Sequence, residues 1–66
     1  MILRVRDYLT TTEAAFELNV PAWAVRRVYN RGLLNEPAGR AGRYRLIPRA
    51  DLPRLEAALR WAGYLK

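Results

Sequence analysis

Apolar positions follow two rhythms along this chain, and a turn marks each change. Thr10-Thr11-Thr12-Glu13 has the spacing of a capping box: the Thr10 hydroxyl accepts from the Glu13 N–H while the Glu13 carboxylate accepts from the Thr10 N–H. A helix is therefore predicted from Thr11. It stops early, because Asn19 tolerates the left-handed backbone of a sharp exit and Pro21 favours the first turn of a new helix. The first helix is predicted over about 11–18 and the second over about 21–31. In the second, Val25, Val28 and Tyr29 recur at helical spacing, leaving Ala22, Trp23, Arg26, Arg27 and Asn30 on the other side until Gly32.

Between Leu34 and Ile47 the rhythm changes. Pro37, Gly39 and Gly42 mark turns, and Arg43-Tyr44-Arg45-Leu46-Ile47 alternates partly as a strand does. A short hairpin with a basic, glycine-containing tip is predicted, with Tyr44 and Leu46 inward and Arg43 and Arg45 outward, since neighbouring strand side chains face opposite ways. Leu52, Leu55, Leu59 and Ala62 then trace an amphipathic third helix over about 52–62, stopped by Gly63. Pro53 does not fit the interior of a helix begun at Arg49, so Asp51 is expected to cap it and any earlier turn to be separate. Ile2, Leu3 and Val5 have the composition of a further short strand beside the hairpin.

The whole chain is 66 residues, one domain at most, and too short to build a deep active site. Cysteine and histidine are both missing, which removes disulfides, thiolate nucleophiles, imidazole bases and the usual zinc ligands. Six scattered carboxylates without a glycine-rich phosphate loop make no catalytic constellation, so neither an enzyme nor a cofactor is expected. No apolar run is long enough to span a membrane, and MILRVRDYL lacks the apolar stretch and cleavage site of a secretion signal. The expected location is the cytoplasm. The net charge is +6 and it is segregated: from Arg26 to Arg49 there are seven arginines and one acid, Glu36, while the remaining charges cancel. A basic stripe on a small folded domain is the electrostatic footprint of a polyanion binder. Eleven arginines to one lysine also fit a GC-rich coding sequence, which explains the choice of arginine but not its clustering.

Two short helices with a tight turn between them, the second basic on its outer face, form the helix-turn-helix arrangement. Ala15 suits the close approach of the two helices and Asn19 the turn. Over Leu9 to Leu59 the sequence resembles the MerR-type and excisionase-type winged helix-turn-helix. The resemblance is carried by Leu9-Thr10 with Glu13-Ala14-Ala15, by Val20 with Gly32-Leu33-Leu34 twelve residues later, and by Gly42-Arg43-Tyr44-Arg45 before Asp51-Leu52. It implies a mainly α, winged helix-turn-helix domain covering 1–66, of three short helices and a small β-hairpin wing. It further implies that the helix at about 21–31 enters the major groove and the basic wing at about 37–46 lies on the backbone or minor groove. By position, Ala22, Trp23, Arg26, Arg27 and Asn30 match the groove-facing residues of the family, and Arg40, Arg43 and Arg45 its wing; Arg31, at the end of the second helix, joins the DNA-binding set. Asn19 stands where the family has a turn glycine, and Pro21 where it has a Ser or Thr cap. A full MerR regulator continues into a long dimerisation helix and an effector domain, so at this length the resemblance is to the small excisionases and short single-domain regulators, with no small-molecule ligand expected.

Each of these residues also has a plainer use. Arg26 and Arg27 can grip guanine or phosphate, or simply be solvated. Asn30 can read adenine or merely end a helix, and the wing arginines position without strongly choosing sequence. Trp23 can pack on a sugar or fold back onto the core. Phe16, opposite Ala15 and Leu18, is either an exposed anchor for a partner or a rim residue under the N-terminal segment, while Trp61, Tyr64 and Leu65 are expected to extend the core. The expected function is sequence-specific binding of double-stranded DNA, as a transcriptional regulator or an excisionase. The expected partners are the DNA, further copies of the chain on it, and an integrase or the transcription machinery. The alternative is a protein-interaction module of a larger nucleoprotein assembly.

Overall fold

The computed structural model describes residues 7–65, so the strand expected at Ile2, Leu3 and Val5 lies outside the described residues. Strand β1 (Tyr8–Leu9) leads into helix α1 (Thr11–Leu18) and helix α2 (Ala22–Asn30). Strands β2 (Gly39–Ala41) and β3 (Tyr44–Pro48), a 3₁₀ turn (Arg49–Asp51) and helix α3 (Leu52–Trp61) complete the order. The strands make one antiparallel sheet in the order β1-β3-β2, with Leu9 opposite Ile47 and Arg40 opposite Arg45.

The start of α1 is set by the capping box: the Glu13 N–H donates to Thr10 Oγ1 at 3.2 Å and the Thr10 N–H to Glu13 Oε1 at 2.9 Å. Its end is set by Asn19 at φ 58°, from which the Val20 N–H reaches back to the Ala15 carbonyl at 3.0 Å. The same exit recurs twice. Leu33 donates to Val28 after Gly32, and Tyr64 to Leu59 after Gly63, both glycines being left-handed. In each case the residue just past the exit, Val20, Leu33 or Tyr64, packs on the core.

Helix α2 is one residue shorter at each end than expected, because Pro21 serves as its cap and Arg31 leaves it. Asp51 does not cap α3 by its side chain. It sits at φ −85°, ψ −6° as the last residue of the 3₁₀ turn, whereas a capping side chain needs extended backbone to reach back to the helix. The core gathers Leu9 and Ile47 from the sheet, Ala14 and Ala15 from α1, Ala24, Val25, Val28 and Tyr29 from α2, and Leu55 and Leu59 from α3. Alanine on both sides lets α1 and α2 pack closely.

The faces of β3 are the reverse of the expectation. Ile47 is buried and Tyr44 is 62% exposed, so the residues turned toward the body are Arg45 and Ile47. Arg43 is no strand residue at all. With Gly42 it forms the two-residue loop of the hairpin, Gly42 taking φ 62° in the first loop position as a type II′ turn requires. The expectation put both arginines in solvent by their charge; Arg45 turns inward instead, because Glu36 and the Tyr29 ring receive its guanidinium, and Ile47 shares its face.

Candidate nucleic-acid interface

Helix α2 buries Ala24, Val25, Val28 and Tyr29, which leaves Trp23, Arg26, Arg27, Asn30 and the following Arg31 on the surface. Ala22 is partly covered and packs against the core rather than standing with them. Trp23 is half exposed and braced on both sides. Tyr64 meets its ring edge-on at 5.5 Å between centroids, and the Arg27 guanidinium lies 5.5 Å from its centre. The ring is therefore held upright beside the basic residues, at a cost in conformational freedom already met before any ligand arrives.

Arg45 has a different place from that expected of a wing arginine. Its Nε and Nη2 donate to the two carboxylate oxygens of Glu36 at 2.6 and 2.9 Å, Nη2 also donates to Asn30 Oδ1 at 2.9 Å, and the guanidinium lies 5.0 Å over the Tyr29 ring. Its side chain is only 13% exposed. A bidentate, stacked arginine is a fixed one. Arg40 adds a longer contact to the same carboxylate, Nη2 to Oε1 at 3.6 Å. The Arg45 hydrogen bond holds the Glu36 carboxyl below the usual carboxylate range, and the same contact raises the guanidinium. Asn30, Arg40 and Arg45 thus form one cluster around Glu36, fastening the hairpin to α2. Among the described residues Arg26, Arg31 and Arg43 have no ion-pair or hydrogen-bond partner, and Arg27 has none besides the Trp23 ring it lies over.

Beneath the Arg45 guanidinium, the Tyr29 hydroxyl is buried and finds no hydrogen-bond partner among the described residues. Burial, reinforced by Asp51, pushes it up to about 12. A group raised in the folded state stabilises fully below its ordinary value near 10, and that contribution is lost as pH rises through about 12. Tyr29→Phe is expected to leave the melting temperature unchanged or higher, because an unpaired buried hydroxyl costs about 1–3 kcal/mol. Thermal melts between pH 9 and 12 check both halves: the variant loses stability less steeply than the parent over this range, and a lower melting temperature at neutral pH contradicts the argument.

Two hollows flank α1. One, about 320 Å³, is lined by Thr10, Thr11 and Thr12, by Arg26 of α2, and by Arg43, Tyr44 and Arg45 of the hairpin. The other, about 390 Å³, is lined by Leu9, Thr12, Glu13, Phe16, Glu17 and Arg49, with Arg49 bonded to Glu17 at 3.4 Å. Phe16 projects there at 87% exposure. Trp61, expected in the core, is 80% exposed, because it lies two residues beyond Leu59 and so on the opposite side of α3; Tyr64 and Leu65 do pack on the core. The three threonines were legible only as a capping signal, and nothing local in the sequence brings them to Arg43. Among the described residues no cluster of acids could hold a metal ion and no helix is long and apolar enough to cross a membrane. Comparison with known proteins finds no matching family model, no matching curated protein and no matching solved structure.

Proposed function

We propose that this chain is a sequence-specific double-stranded DNA-binding domain of the winged helix-turn-helix type. The observation that carries the reading is the surface formed by Trp23, Arg26 and Arg27 on α2 and Arg43 on the hairpin loop: three guanidinium groups without an acidic partner among the described residues. Nine helical residues span about 14 Å at 1.5 Å each, short and narrow enough to lie in a major groove about 12 Å wide. In this reading α2 enters the major groove, the hairpin follows the backbone or minor groove, and Arg45 with Glu36 and Asn30 sets the angle between them. Asn30 and Arg45 then act by positioning rather than by touching bases.

Such a domain would serve in the cytoplasm as a transcriptional regulator or as an excisionase working with an integrase. One helix and one hairpin read few base pairs, so useful specificity calls for several copies on neighbouring sites. A mobility-shift titration on DNA from the protein's own gene neighbourhood, at two salt concentrations and against random competitor, tests the reading. A specific band is expected, with affinity falling by roughly 0.9 power of salt for each phosphate neutralised. Affinity that ignores salt, or no preference over competitor, contradicts it. The second reading, a protein-interaction module in a nucleoprotein assembly, is favoured by Phe16 and Trp61, two large apolar side chains left in solvent.

A further inference from the structure

The cleft between the start of α1, Arg26 of α2 and the hairpin loop is lined by three segments far apart in sequence, and among the described residues no carboxylate lines it. Arg45 reaches its wall already committed to Glu36, but Arg26 and Arg43 bring two guanidinium groups to the same space with no anion to answer them among the described residues. Arginines that do meet an acid elsewhere in the chain, such as Arg40 at Glu36 and Arg49 at Glu17, show the contrast. The threonine hydroxyls beside them can donate as well as accept. The backbone N–H groups at the start of α1 carry none of the argument, because Glu13 already closes that end in the capping box.

Donors facing a space with no acid select a ligand that only accepts. About 320 Å³ is roughly the room of ten water molecules, enough for one phosphate group and the sugar atoms on either side. The ring of Tyr44, 62% exposed at the rim, offers an apolar wall for a deoxyribose. We propose that this cleft seats one phosphodiester of the DNA backbone, held by Arg26 and Arg43 with the hydroxyls of Thr11 and Thr12. The proposal rests on the DNA-binding reading and deepens it. A phosphate held there is gripped from α1, α2 and the hairpin at once, so it fixes the rotation of α2 in the groove without reading any base.

The test uses Arg43→Ala and Thr12→Val, both at exposed positions, with melting curves to verify folding. Each is titrated against the bound duplex and against duplexes carrying one neutral methylphosphonate linkage at a time. Arg43→Ala is expected to weaken binding equally for all sequences and to lower the salt slope by about 1. One linkage is expected to weaken the parent when neutralised yet to have no further effect on Arg43→Ala, and a reduced effect on Thr12→Val. If the parent binds DNA specifically but no linkage is silent in Arg43→Ala, or the slope is unchanged, the cleft is overturned and the DNA-binding reading stands. If the parent binds no duplex, both fall together. Amide shifts of Thr11, Thr12 and Arg26 on adding inorganic phosphate, without such shifts on adding duplex, overturn the DNA backbone as the source of the anion.

Discussion

Replacing Arg26 and Arg27 together by alanine is expected to abolish specific retention of DNA at moderate salt, and the two single variants are expected to fail differently. Arg27, beside the braced Trp23, faces outward on α2; in the DNA-binding reading it would meet base edges, and Arg27→Ala is then expected to lose about 1–3 kcal/mol on the preferred site and little on random DNA. Arg26 lines the cleft, so Arg26→Ala weakens all duplexes alike and lowers the salt slope by about 1. Titrations of the single and double variants against specific and random duplexes separate the two effects. A double variant that binds as the parent does would remove α2 from the interface and leave Phe16 and Trp61 as the better guide to function.

The second large effect is on stability. Leu55→Ala is expected to cost about 2–5 kcal/mol, because Leu55 is fully buried where α3 joins the core and its removal leaves a cavity. A domain of this size has about 3–10 kcal/mol in total, so the variant approaches or crosses the unfolding limit at room temperature. At about 4–8 °C per kcal/mol, thermal melts followed by circular dichroism should show a fall of more than about 8 °C. Phe16→Ala, at a position 87% exposed, should change stability by no more than about 0.5 kcal/mol. A small effect at Leu55 would mean that α3 is peripheral to the core.

What the sequence made legible was whatever its neighbours in the chain decide. The limits of α1 follow from Thr10, Glu13 and Asn19, all within ten residues, and they agree with the structure to the residue. The existence of the hairpin and of α3 followed in the same way from Gly42 and the leucine spacing. What was hidden depends on distant partners. Nothing near Tyr8-Leu9 announces that this pair adds to β3, since its partners are Pro48 and Ile47. The face of β3 was misjudged because charge was taken to place Arg45 in solvent, and an arginine turned inward is acceptable only where a carboxylate and an aromatic ring await it, as Glu36 and Tyr29 do. The candidate site was half legible: composition gathers the arginines, but which of them are occupied and which are free depends on Glu36 and on the fold around it. That the chain binds DNA at all is an expectation the sequence raised and the titrations above decide.

The three helix exits at Asn19, Gly32 and Gly63 have a consequence for how the chain reaches this structure. Each closes through hydrogen bonds that span at most six residues, and each drops its next side chain onto the core. The signals that end each helix are thus local and can act on the time scale of local events, while helices of eight to ten residues persist only once packed. The strand pair Tyr8–Leu9 with Ile47–Pro48 is the opposite case, since it must close a loop containing α1, α2 and β2. Closing a loop that long costs more chain entropy than any contact made inside it, so this short pairing is a non-local step that the rest of the fold must support.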